Sequence, residues 1–198
     1  MAVPSAYLDS PTPIAFAHRG GSLVESNVGV ENSLEAFTHA YELGYRYLET
    51  DVHASADGRV YVFHDDTLER MTGNKTAIAA LTADLVDGEL LGGRVRIPTL
   101  EQLIKAFPDA RFNIDVKSDA AVEATCAVIE DHGAVDRVCL ASFDHARLGR
   151  IRTRLPGAAT AASSREAALV KFLPAPILRL LRVPGAVVLQ VPERRGFI

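Results

Sequence analysis

Short apolar runs alternate with amphipathic segments along this chain, and their order predicts a fold. Ile14-Ala15-Phe16-Ala17 is a compact apolar run ending in His18-Arg19-Gly20-Gly21, the pattern of a buried strand that delivers a polar tip into a glycine turn. Asn32 with Glu35 three residues on reads as a helix cap. The helical face behind it is Leu34, Phe37, Ala40 and Tyr41, and Gly44 stops it. The stretch from Tyr45 to Asp66 then supplies an alternating strand through Glu49 and Asp51, an Asp57-Gly58 turn, and a second strand-like run, Val60 to Phe63, that ends at His64.

Residues 1–13 are proline-rich and read as a poorly specified lead-in, with residues 14–198 forming one domain. Between residues 65 and 98 no single period holds, and Gly73, Gly88, Gly92 and Gly93 break up short apolar pieces, so this segment reads as an insertion. Regular alternation resumes at Thr99, where TLEQLIKAF opens a helix that Pro108-Asp109 closes. A strand at Arg111 to Val116, a helix from Ala120 to His132, a strand at Val138 to Ser142 and a helix from Asp144 to Leu155 follow. The chain continues with a strand at Ala158 to Ala162, a helical stretch from Arg165 and a last strand at Ala186 to Val191.

Strands separated by helices predict a parallel sheet, since a parallel crossover takes about a dozen residues and is usually helical. The strands are nearly all apolar, as expected where both faces are covered. Polar residues recur at successive C-terminal strand ends: His18, then Glu49 and Asp51, then Asp115 and Lys117, then Ser142. In a (β/α)8 barrel those ends share one mouth, whereas a doubly wound sheet gathers its ligand contacts at one switch point. The chain has no G-x-G-x-x-G turn and no G-K-[ST] loop. A TIM-type α/β barrel is therefore the expected architecture.

Composition narrows the function classes. At 198 residues, 48% hydrophobic and 23% charged, the chain has the composition of an ordinary soluble domain. Its net charge of −4 argues against a nucleic-acid partner, which normally leaves a basic footprint. Cys126 and Cys139 are too few and too far apart for a disulfide framework or a zinc site, and they read as buried apolar positions. The first residues lack a signal-peptide pattern, which makes a cytoplasmic location the expectation. Lys171, Arg179, Arg182 and four prolines interrupt the apolar segment Leu169 to Val191, which excludes a transmembrane span there.

Glu49 and Asp51 lie two apart on a strand, so both carboxylates face the same way and repel unless a cation lies between them. On its own, an E-x-D pair is as often a solvated edge. Asp115 changes the balance, because three oxygen donors around one mouth suit a divalent cation, Mg²⁺ or Ca²⁺, better than zinc. His18 and His64 are the candidate proton carriers, each titrating near neutrality when unperturbed. Arg19 offers a forked donor for phosphate, and Lys117 shares the strand face of Asp115, either as its salt-bridge partner or as a phosphate contact. His53 is expected below the mouth or on the loop, and His39, His132 and His145 on solvated helix positions.

These motifs resemble the glycerophosphodiester phosphodiesterase family: AHRGG, ENS, YLETDVHASADG, VYVFHDDTLERMTG, LTADLVDGELLGGRVRIPTLEQLI and NIDVK, in that order from about Ile14 onward. The resemblance implies a barrel, a divalent cation, and hydrolysis of a small-molecule glycerophosphodiester to glycerol 3-phosphate and an alcohol. It implies His18 and His64 as acid and base, Glu49, Asp51 and Asp115 as metal ligands, Arg19 and Lys117 as phosphate contacts, and Glu31 with Asn32 as supporting residues. The chain departs from the family at Asp115, where a longer glutamate is usual, and at Val30, where proline is usual. It also lacks the family's later tryptophan-containing strand, having no Trp. The expected architecture is accordingly a barrel of this phosphodiesterase kind truncated after about six strands, its C-terminal barrel units missing. Two alternatives stay open on the same barrel: phospholipase D-like cleavage of lysolipid headgroups, with Phe172 to Leu181 as a weak peripheral membrane contact, or an inactive phosphate-binding form.

Overall fold

A computed structural model describes residues 6–11, 13–174, 177 and 186–190. The first parallel unit is β1 (Phe16–His18), α1 (Leu34–Glu42) and β2 (Tyr47–Ala54), and β2 folds back through Gly58 into the antiparallel β3 (Val60–Val62). After α2 (Glu69–Thr72), α3 (Ala83–Asp87) and the hairpin of β4 (Leu90–Leu91) with β5 (Val95–Arg96), the parallel alternation resumes. It runs through α4 (Leu100–Ala106), β6 (Arg111–Val116), α5 (Ala121–Asp131), β7 (Val138–Ala141), α6 (His145–Arg154), β8 (Ala159–Ala161), α7 (Ser164–Phe172) and β9 (Ala186–Val188).

Six parallel strands in the order β1-β2-β6-β7-β8-β9 form the curved sheet of a TIM-type half-barrel, and β3 pairs with β2 off this path. The side-chain period of two divides each strand between two environments. On β2, Leu48 and Val52 face the helix layer, as do Phe112, Ile114 and Val116 on β6. They pack with Leu103, Ile104, Cys126 and Ile129 in the main core. The opposite face carries Tyr47, Glu49, Asp51 and His53. At its lower end Tyr47 packs against Tyr7, Cys139, Ala141 and Ala159.

Tyr7 belongs to the lead-in, yet it sits in a 3-10 turn, is buried, and its carbonyl accepts a hydrogen bond from the Tyr47 hydroxyl. The segment 65–98 packs Leu68, Met71, Ile78, Val86, Leu91 and Ile97 against Tyr61 and Phe63 of the β3 run to form a second core. Both cysteines are free and buried. Among the described residues no helix is long and apolar enough to cross a membrane.

Local capping differs from expectation at α1. Ser33, not Asn32, is the N-cap and accepts from the Ala36 amide. Asn32 instead takes a left-handed conformation, φ 62°, which Asn tolerates better than most residues, and this turns its amide toward the sheet. At α4 the expected start holds, with Thr99 and Gln102 forming a reciprocal capping box.

Candidate active site

Strand register brings the site together. His18 lies opposite Glu49 across β1 and β2, while Glu49 pairs with Asn113 and Asp51 with Asp115 across β2 and β6. All of these strands run parallel, so their chemistry emerges at one end of the sheet. The resulting cleft, about 640 Å³, is lined by His18, Arg19, Glu49, Asp51, His64, Asn113, Asp115 and Lys117, with Phe143, Val188 and Leu189 on its far wall. His64 arrives from the β3 side, where the Phe63 amide donates to the Asp51 carbonyl.

The turn after β1 is held by close packing. A Cβ on Gly20 would lie 2.9 Å from the backbone of Ala36 and Phe37, and Gly20 has φ 75°, so glycine is required where α1 crosses this turn. The same turn puts Arg19 at φ 51° and directs its backbone amide onto Glu49, 3.1 Å from Oε2. The Arg19 guanidinium then reaches Glu31 at 3.1 Å and lies 3.4 Å from Asp51.

Asp51 is the most heavily partnered carboxylate. Lys117 Nζ contacts it at 2.8 Å and contacts Asp115 at 2.7 Å, so the lysine bridges two carboxylates that face each other across the β2–β6 ladder. Asn32 donates to Asp51 at 3.3 Å while accepting from Thr50 at 2.9 Å, which gives the turn residue its role. Burial disfavours the charged lysine, yet Asp51 and Asp115 outweigh it and raise its pKa.

Glu49 and Asp115 are less satisfied. Burial, reinforced by the charge of Asp51, pushes Glu49 up to about 8. Burial also raises Asp115 despite its lysine, and Asp115 Oδ1 has no hydrogen-bond partner. Asn113 Oδ1 and Arg19 Nε are likewise buried without a hydrogen bond. The cleft therefore holds carboxyl groups whose anionic forms are poorly compensated, and open polar valences. Among the described residues, no three His, Cys, Asp or Glu side chains are grouped as a ready metal cage.

The two histidines differ in setting. His18 is 60% exposed, with Nε2 3.7 Å from Glu49, and partial burial together with the adjacent Arg19 charge lowers its pKa. His64 is anchored through Nδ1 to Asp65 Oδ1 at 2.6 Å. His53 is not among the residues lining the cleft; it is buried on β2 and not on the loop, its Nε2 3.3 Å from the His64 carbonyl. It stands one further step along the face of Glu49 and Asp51, as the strand period of two predicts. Arg70 was not anticipated at all: it bonds Asp65 and Glu31, both at 2.6 Å.

Comparison with known proteins gives the family and the fold. The model of the glycerophosphoryl diester phosphodiesterase family matches residues 18–172. The chain is 39% identical to the Mycobacterium tuberculosis protein named "Probable glycerophosphodiester phosphodiesterase 2", over 92% of this chain and 70% of that one. It is 33% identical to a Caldanaerobacter subterraneus glycerophosphodiester phosphodiesterase, over 72% of this chain and 63% of the relative. In three dimensions it superposes on an Agrobacterium tumefaciens glycerophosphodiester phosphodiesterase with a TM-score of 0.69 at 25% identity, over 77% of this chain and 68% of the other. An Oleispira antarctica phosphodiesterase solved with the product sn-glycerol-3-phosphate shares the fold, with a TM-score of 0.69 at 22% identity, over 92% of this chain and 85% of the other.

Proposed function

The chain belongs to the glycerophosphoryl diester phosphodiesterase family, and from that premise we propose that it hydrolyses glycerophosphodiesters to glycerol 3-phosphate and an alcohol. The observation that carries the reading is one cleft holding two histidines, two basic side chains and three carboxylates.

The donor set fits a hard divalent cation, Mg²⁺ or Ca²⁺: it is all oxygen, the anionic form of Glu49 lacks compensation in its buried setting, and one Asp115 oxygen is unpartnered. Glu49, Asp51 and Asp115 would hold the ion, which when bound supplies charge neutralisation for the phosphodiester. Arg19 and Lys117 line the same cleft and attract the anionic diester, Arg19 with a planar fork suited to two phosphate oxygens.

Proton traffic falls to the histidines. His18, whose basicity burial and the adjacent Arg19 charge lower, can take a proton from the attacking water. His64, with Nδ1 on Asp65, presents its other nitrogen to the cleft and can protonate the departing alkoxide. Water adds across the P–O bond, the alcohol leaves with the second proton, and the two histidines end with their protons exchanged.

Phosphorus NMR of glycerophosphocholine turnover in Mg²⁺ or Ca²⁺ tests the proposal. His18→Ala and His64→Ala should each lower kcat by about 10²- to 10⁴-fold, and EDTA should abolish turnover. Activity that persists in EDTA, or in His18→Ala, overturns the mechanism.

A further inference from the structure

We propose that Arg70, on the short helix α2 of the 65–98 segment, is a positioning residue that holds the proton-carrying and phosphate-binding sides of the cleft in register. Its guanidinium grips both oxygens of Asp65, Nε to Oδ2 at 2.6 Å and a terminal nitrogen to Oδ1 at 3.1 Å. The same terminal nitrogen reaches Glu31 Oε1 at 2.6 Å. Asp65 in turn takes His64 Nδ1 at 2.6 Å, and Glu31 Oε1 takes Arg19 at 3.1 Å. A continuous chain His64–Asp65–Arg70–Glu31–Arg19 therefore runs around the rim.

Each link has a physical consequence. A carboxylate bonded only to an imidazole can rotate about its own axis, and a bidentate guanidinium removes that freedom. With Asp65 fixed, the His64 proton stays on Nδ1 and the other ring nitrogen stays directed into the cleft. On the other arm, Glu31 divides its charge between Arg70 and Arg19. Without Arg70, Glu31 would pair with Arg19 alone and compete with the substrate phosphate for it.

Arg70 can do this because its backbone is anchored while its side chain is half exposed. Leu68 and Met71 on either side are buried in the second core, and the Leu68 and Gly92 amides close onto Thr76 and Met71 carbonyls. The segment between β3 and α4 thus gains a role in the site to which it contributes no cleft-lining side chain beyond His64.

The inference rests on the reading of His64 as a proton carrier, and its test does not need turnover. Nitrogen-detected NMR of the His64 ring in the full chain at pH 8 should report mainly the Nδ1–H tautomer. Arg70→Ala should move those signals toward tautomer averaging and weaken inorganic phosphate binding about tenfold. Asp65→Asn should cancel further movement of the ring signals by Arg70→Ala, and Glu31→Gln should cancel further loss of phosphate affinity, because each removes one arm. Arg70→Lys, with one donor point in place of a fork, should recover phosphate affinity and not the ring signals. Ring signals unmoved in Arg70→Ala overturn the inference, as do effects that simply add in the double variants. If the unsubstituted chain fails to hydrolyse glycerophosphocholine, the functional reading falls, while the ring measurement still decides the role of Arg70.

Discussion

Two buried ion pairs lie at opposite halves of the sheet, and their carboxylates respond in opposite directions. On the β8 side, Arg152 from α6 grips Glu166 of α7 with both terminal nitrogens, at 2.5 and 3.1 Å, and also bonds Thr160 and the Ala161 carbonyl. Glu166 accepts the Ser163 amide as well, and although burial opposes it, these bonds lower its pKa. On the β2–β6 side, Lys117 serves Asp51 and Asp115 together, yet burial raises Asp115, and Glu49 beside them rises to about 8. One pair is saturated and structural. The other is short of positive charge where a cleft opens, which is where a binding site can use the deficit.

The largest expected effect separates these two sites directly. Lys117→Met takes the shared cation from between Asp51 and Asp115, leaving only Arg19, 3.4 Å from Asp51, and removing one partner of a buried pair costs about 3–5 kcal/mol. Urea unfolding should read that loss. Mg²⁺ or Ca²⁺ at a hundredfold excess over its Kd should return about 3 kcal/mol by binding only the folded state. Arg152→Met should cost about 3 kcal/mol for the same reason, with no recovery in either ion. Recovery in both variants, or in neither, would break the comparison.

The two sites were not equally legible in the sequence. The strand order, the six parallel strands and the convergence of His18, Glu49, Asp51, Asp115 and Lys117 follow from apolar runs ending in polar residues, because register in a parallel sheet carries those ends to one rim. Asn32 was misplaced because Asn followed by Glu35 imitates a cap one residue before the real one, Ser33, and only the left-handed backbone at 32 reveals its bond to Asp51. Arg70's link to Glu31 and the Arg152–Glu166 pair could not be read, since those partners lie 39 and 14 residues away and long flexible side chains leave no period behind. Tyr7 escaped for a related reason: a proline-rich lead-in has no pattern, and its partner Tyr47 lies 40 residues on.

A smaller effect comes from acid. Arg70, and then His64, hold Asp65 down to about 2 from its ordinary 3.8. A depressed folded-state pKa contributes stability that is present above pH 3.8 and lost as pH falls toward 2. The Arg70 side chain is 49% exposed, so screening reduces the contribution to about 1 kcal/mol. Unfolding free energies at pH 5 and pH 2.5 for the parent and for Asp65→Asn should differ by that amount, and equal pH slopes would remove Asp65 from the account.

Single-residue truncations sharpen the contrast at its lower limit. Ser163→Ala removes the N-cap of α7 and frees the Glu166 amide, which should cost about 1 kcal/mol, because the hydroxyl is fully buried and engaged in a reciprocal capping box. Asn113→Ala on the opposite half should cost less than this despite similar burial, since Asn113 Oδ1 has no partner to lose and its burial is already unfavourable. The packing lost with the side chain offsets part of that relief, so a change near zero is expected in thermal unfolding. Apparent substrate affinity should fall, because Asn113 lines the cleft opposite Glu49 and its open acceptor suits a substrate hydroxyl. If Asn113→Ala instead destabilises the fold as much as Ser163→Ala does, the cleft side is as saturated as the helix side, and its surplus valences cannot be assigned to a ligand.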